Sequence, residues 1–203
     1  MLSLMGTDGL ERRRTRERQP RFDRQAWLEQ AMEVLAREGQ AKLRIEALSR
    51  QLGVSRGSFY HHFKDREDFV SAIVDHWAET ITPRTNPEVT NKDRPPEDRL
   101  ILMMQLIEQN RLDRFDIAFR SWAAQEPAVA EKVREVDRRR YEFVRSLFAE
   151  MGFEGGDLED RVQIFLTFHS AQRTIHIPGN VRVDKDTIAR RHAFFTRQLS
   201  KKE

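Results

Sequence analysis

Ser55, Arg56, Ser58, Tyr60, His61 and Lys64 crowd into one short stretch of the chain. Hydroxyl, guanidinium, ammonium and flat-ring donors are the groups that meet phosphate oxygens and base edges. Gly57, set among them, permits close approach of another backbone. His61 and His62 are adjacent, so on a helix they point in different directions, and no carboxylate follows four residues on. That is not the spacing of a metal pair. His61 reads as a groove or phosphate contact and His62 as packing or capping. Farther along, His169, Gln172, Arg173 and His176 interrupt an otherwise apolar helix. They serve either as ligand contacts or as ordinary hydrogen bonds to solvent or across a dimer seam. The chain has no cysteine, which excludes a disulfide framework, a thiolate zinc site and a cysteine nucleophile. It contains no HExxH, no glycine-rich phosphate loop and no nucleophile elbow. No catalytic residue, metal ligand or cofactor is expected.

The elements that position these residues are helices. Asp23 is a good N-cap, and Trp27, Leu28, Ala31, Val34 and Leu35 recur at helical spacing until Gly39. A second helix carries Ile45, Leu48 and Leu52 and stops at Gly53. Ser55 then caps a third of about two turns, Arg56 to His62, with Phe59 and Phe63 four apart. Such a helix cannot hold itself together in water and needs tertiary support. Asp65 caps a fourth, striped by Phe69, Val70, Ile73, Val74, Trp77 and Ile81. Residues 82–98 hold Pro83, Pro87, Pro95 and Pro96 with little that is apolar, and read as a connection. Beyond it, Leu100–Asn110 is apolar around most of its circumference. Further helices follow around Phe115–Trp122, from Pro127 to Gly152, from Asp157 to Ile177, and from Asp184 or Asp186 to Leu199. There is no period-two strand pattern and no internal repeat. The expected fold is all-α, with about nine helices.

Charge is unevenly placed. Residues 1–66 carry 14 Lys and Arg against 9 Asp and Glu, whereas the rest carries 22 against 24. Arg12, Arg13, Arg14, Arg16, Arg18, Arg21 and Arg24 face only Glu17 and Asp23 over that stretch. A basic end on a nearly neutral body suits a polyanion. Residues 1–20 read as a disordered basic arm that can follow a phosphate backbone or enter a minor groove. The longest apolar run, Leu100 to Met104, is far short of the ~20 residues that span a bilayer. No secretory signal is visible, so a cytoplasmic location and no membrane partner are expected.

Helix, Gly-Val-Ser turn, short helix, capped helix is the order of a helix-turn-helix, whose second helix enters the major groove. The run from Leu48 to Phe69, with Gly53-Val54-Ser55, then Arg56-Gly57-Ser58-Phe59-Tyr60-His61-His62-Phe63-Lys64, resembles the N-terminal signature of the TetR-type transcriptional regulators. The likeness covers about residues 22–81. It departs at Ser49, where Ala is usual, and at Arg44, where Thr often meets a phosphate; Arg can serve a phosphate as well. The resemblance implies a DNA-binding head at 21–66, a connecting helix at 67–81, the proline-rich connection at 82–98, and a ligand-binding and dimerising body at 99–203. It implies DNA contacts from Arg44, Ser55, Arg56, Gly57, Ser58, Tyr60, His61, Lys64 and Arg66. Double-stranded DNA with a palindromic operator is then one partner, a small-molecule effector another, and a second copy, joined through the last two helices (Asp157–Ile177 and Asp186–Leu199), a third.

In the body, Met103, Phe115, Phe119 and Trp122, with Phe168 and His169, are candidates to line a largely apolar effector pocket. Arg120, Gln105 and Asn110 are candidate polar groups within it, and a buried Arg120 would favour an anionic or carbonyl-bearing ligand. The whole reads as a ligand-responsive transcriptional repressor released from its operator by a small, largely apolar molecule. An all-α protein-interaction adaptor and a small helical enzyme are the competing classes. Salt-dependent binding to a palindromic duplex separates the first from both.

Overall fold

The computed structural model describes residues 23–80, 86–175 and 183–198. Among these residues there are ten α-helices and no strand. They are α1 (Arg24–Glu38), α2 (Ile45–Leu52), α3 (Arg56–His62), α4 (Arg66–Thr80), α5 (Pro87–Thr90), α6 (Pro96–Gln109), α7 (Asp113–Ala123), α8 (Pro127–Glu150), α9 (Gly155–Ala171) and α10 (Lys185–Thr196). A single 3-10 turn, Gln40–Lys42, joins α1 to α2. The expected basic arm lies outside the described residues.

Capping residues account for most of the boundaries. Asp23 accepts from the Ala26 N–H at 3.0 Å, and Asp184 accepts from the Thr187 N–H at 2.8 Å. Gly53 ends α2 in the left-handed region, φ 67° and ψ 27°, where a residue with a β-carbon is strained. Pro127 occupies the first turn of α8, where its missing N–H costs nothing.

Ten helices rather than nine follow from the proline-rich stretch, which is not a bare connection. Asn86 accepts from the Glu88 N–H at 2.9 Å and Pro87 starts the single turn of α5. That turn exists to bury Val89, and the Arg99 Nε–H donates to the Val89 carbonyl at 3.0 Å. Arg99 is itself buried, its other end donating to Glu150 at 2.6 Å.

Two buried clusters hold the chain together, and they do not separate at residues 82–98. The first joins α1–α4 with Phe115, Phe119 and Trp122 of α7 and with Val129, Val133 and Val136 of α8. The second joins α5, α6, the later half of α8, α9 and α10 around Leu100, Phe148, Phe165 and Phe195. The long helix α8 therefore belongs to both. At the centre of the first cluster Trp77 stacks on Phe119, with ring centres 4.5 Å apart and planes at 16°. Arg161, on α9, donates to the carbonyls of Phe195 and Arg197 and lies over the Phe153 ring, which ties α10 down.

Because the head shares its core with α7, removing the Phe119 ring should loosen both ends of the molecule. Phe119→Ala is expected to cost about 3–5 kcal/mol, as for other fully buried aromatics. Denaturant unfolding followed by circular dichroism and by a fluorophore on α2 should show one shifted transition. Two separate transitions, with the head unaffected, would contradict the shared core.

Candidate nucleic-acid interface and effector cleft

Seven residues make α3, too few for a helix to stand alone. Phe59, fully buried beneath it, meets the rings of Trp27 at 5.4 Å, Phe63 at 5.2 Å and Phe69 at 5.1 Å. Packing that is edge-on to Trp27 and Phe69 and tilted to Phe63 holds the helix from one side and leaves its other face to solvent. The turn before α3 is closed by the Val54 N–H, which donates to the Ser49 carbonyl at 2.9 Å. Ser49, the departure from the usual Ala, is buried and donates its hydroxyl to the Ile45 carbonyl at 2.7 Å. The hydroxyl is thereby satisfied inside its own helix.

None of the nine residues expected to meet DNA is buried. Arg56, Gly57, Tyr60 and His61 are exposed on α3, and Ser58 is half-buried. Ser55 occupies the N-cap of α3, and Arg44 that of α2, each without spending its side chain on the cap. The Arg56 guanidinium donates to the Tyr60 hydroxyl at 3.3 Å and pairs with Glu46 at 3.3 Å, which fixes two donors on one side of the helix. Lys64 and Arg66 bracket the start of α4. There Asp65 accepts from the Asp68 N–H and Asp68 accepts from the Lys64 N–H, both at 2.9 Å. The two carboxylates satisfy orphan amides, leaving the two cationic side chains outward and exposed.

The seven residues expected around an effector are not brought together. Phe115, Phe119 and Trp122 are in the core that α7 shares with the head, whereas Met103, Phe168 and His169 belong to the second cluster or pack beside it. Arg120 alone of the seven lines a cleft of about 790 Å³ between α8 and α9, at the edge of α7. Of the other polar candidates, Gln105 is half-buried and Asn110 is exposed, donating to the Leu106 carbonyl at 2.9 Å. Arg173 and Gln172 are used within the chain: Arg173 pairs with Asp113 at 2.6 Å and with Glu108, and Gln172 accepts from Arg191 at 3.3 Å. His176 lies outside the described residues.

Sequence reasoning missed the ion pairs along α7. Arg114 makes two bonds to Glu33 of α1, at 2.8 and 2.5 Å; Arg120 makes two to Asp137 of α8, at 2.9 and 2.6 Å. Asp116, buried, accepts from Arg140 of α8 at 2.6 Å and from the Ser170 hydroxyl of α9 at 3.2 Å. The available signal was Asp113 and Asp116, three apart on the face that also carries Phe115 and Phe119's neighbours. Acids at such positions are rarely buried unless paired.

The described residues contain no group of three or more His, Cys, Asp or Glu placed to hold a metal ion, and no helix long and apolar enough to cross a membrane. A helix-turn-helix head with its polar face outward, fused to an all-helical body, defines the class as a DNA-binding regulator. Residues 28–73 match the family described as bacterial regulatory proteins, tetR family. The matched segment runs from α1 into α4 and contains all of α2 and α3, so the head is similar to the DNA-binding domain of that family. A search of curated protein sequences gave no match. Solved structures share the fold over most of the chain at low identity. The regulatory protein TetR from Rhodobacter sphaeroides has a TM-score of 0.68 at 16% identity, with 87% of this chain and 98% of that one covered. The TetR family transcriptional regulator PfmR from Thermus thermophilus has 0.64 at 19%, covering 88% and 100%. AibR, in complex with isovaleryl coenzyme A and operator DNA, has 0.66 at 14%, covering 86% and 97%.

His169 is a packed residue with a titration consequence. Its Nδ1–H donates to the Phe165 carbonyl at 2.9 Å and its ring lies 4.1 Å from that of Phe165. Burial lowers its pKa from the ordinary 6.5 to about 4, opposed by the Phe165 bond and reinforced by the charge of Arg191. Between those two values the unfolded chain takes up a proton that the folded chain refuses. Stability therefore falls as pH drops through that window, by about 3 kcal/mol in total. Urea unfolding at a series of pH values should show this slope in the native protein and its absence in His169→Phe. An unchanged slope would place the titration elsewhere.

Proposed function

We propose that the protein is a dimeric repressor whose helix α3 reads a palindromic operator and whose body binds a small effector that lowers operator affinity. The observation that carries this reading is the construction of the head: aromatic support concentrated under α3, with Arg56, Tyr60 and His61 exposed on its outer side. In the proposed division of work, residues 21–66 bind DNA, 67–81 link, and 99–203 dimerise and take the effector. Arg44, Tyr60, Lys64 and Arg66 serve phosphates, so affinity falls with salt; Arg56, Ser58 and His61 are placed for base edges. A relative of the same fold, AibR, is described with operator DNA and isovaleryl coenzyme A together, which supports an effector role for the body. No catalytic role is assigned. Effector binding changes the separation of two heads only as far as it binds the two arrangements unequally.

The dimer surface we propose is the outer side of α9 and α10, where Ile164 is 53% and Phe194 71% exposed. Their neighbours Phe165 and Phe195 pack inside their own chain, so the seam is one residue removed from the largest apolar side chains of each helix.

Two measurements bear on this reading. Lys64→Ala and Tyr60→Ala should each weaken binding to all duplexes alike in a mobility assay. Lys64→Ala should also reduce the slope of log affinity against log salt by roughly one. Unchanged affinity for both would remove the phosphate roles. In sedimentation at micromolar concentration, Ile164→Glu and Phe194→Glu should give folded monomers, whereas Phe165→Glu should unfold. A native monomer would overturn the dimer.

A further inference from the structure

Four helices meet around Arg140. Its Nη1 donates to Asp116 of α7, the Ser170 hydroxyl of α9 donates to the same carboxylate oxygen, and the guanidinium carbon lies 5.4 Å over the ring of Trp77 on α4. The packing leaves unusual remainders at this junction. Arg140 Nε, Asp116 Oδ1 and Trp77 Nε1 are each buried without a hydrogen-bond partner. Buried polar atoms are nearly always satisfied, and a charged donor left unmatched is costly. Arg140 also lines the cleft of about 790 Å³, so the junction opens directly onto space of the size that small molecules occupy.

The lining of that cleft is unequal in charge. Asp137 spends both oxygens on Arg120, and Glu159 accepts from Tyr141 and Arg145. Asp116 is neutralised by Arg140 itself. Arg138, at the cleft, has no ion-pair partner among the described residues. Anions are thus used up while the Arg138 guanidinium and the Nη2 end of Arg140 remain. Leu166, Ala171 and the Tyr141 ring supply an apolar wall between them.

We propose that this cleft binds an amphipathic organic anion, a carboxylate carrying an apolar tail, and that Arg140 transmits its presence to the DNA-binding head. The carboxylate is held by Arg138 and by the Nη2 end of Arg140, which makes no hydrogen bond within the described residues, and the tail lies along Leu166 and Ala171. The site rests on the effector reading above and makes it specific. The transmission follows from what Arg140 touches. A new anion competes with Asp116 for the guanidinium, and that guanidinium covers Trp77, whose ring is stacked on Phe119. Trp77 belongs to α4, the helix that begins at the Lys64–Arg66 corner of the DNA face. A shift of Arg140 therefore reaches α4 through contacts already in place, without passing through the second core.

The test uses the full chain and three probes of equal tail length: decanoate, decanol and decyltrimethylammonium. Calorimetric titration should show decanoate binding once per chain, the alcohol about tenfold weaker, as for loss of a charge-assisted bond, and the cation not at all. Arg138→Gln and Thr167→Trp, both at solvent-exposed positions of the cleft, should keep the native melting temperature and weaken decanoate about tenfold. Arg140→Lys keeps the charge but loses the flat group over Trp77, and should bind decanoate yet no longer respond to it in operator affinity. Equal binding of acid and alcohol, no saturable binding of the acid at millimolar concentration, or insensitivity to Thr167→Trp would each overturn the site. Retained operator release in Arg140→Lys would overturn the transmission. If decanoate binds in the cleft of the native protein and operator affinity does not move, the effector reading and the transmission fail together, and the site stands.

Discussion

The stacking of Trp77 on Phe119 joins the part of the molecule that faces DNA to the part that does not. The two rings come from helices on opposite sides of the proline-rich stretch, and both are fully buried. Around them α1, α4, α7 and the first half of α8 form one apolar interior, so the head is not a separate globule on a tether. Interiors packed at crystal-like density move as units or switch between discrete arrangements. A displacement at α7 or α8 is thereby felt by α4.

Charge adds direction to that coupling. The helix α7 is pinned on one side to α1 by Arg114 and Glu33, and on the other to α8 and α9 through Arg120, Asp116 and Asp113. These pairs are partly or wholly withdrawn from water, where removing one partner strands the other. They specify the register of α7 between head and body more than they add to stability. Several of these groups keep one buried atom without a partner, at Asp113, Arg114, Asp116 and Arg140, and of these residues Arg140 also lines the cleft.

At the DNA face the logic is inverse. The helix α3 owes its existence to one buried ring, Phe59, and to the aromatic residues that surround it. Concentrating all support on one side frees the other from any packing duty. Its donors are then available to a partner, and their positions are set by a rigid floor.

Much of this was legible in the sequence because it depends on neighbours in the chain. Caps at Asp23, Asp65 and Asp184, the left-handed Gly53, and the i, i+4 aromatics at Phe59 and Phe63 are local, and they set the helix boundaries and the side of α3 that turns inward. The extra turn of α5 escaped because its reason, the burial of Val89 against Arg99, is set by contacts with other helices. The effector candidates do not gather in one place for the same cause: Phe115, Phe119 and Trp122 share a helical stripe whether they line a cavity or fill a core. Periodicity shows which side of a helix turns inward, but the identity of the surface it meets depends on distant residues. Only the tertiary structure set Trp77 against Phe119, exposed Ile164 while burying Phe165, and brought Arg140, Asp116 and Ser170 together beside a cleft.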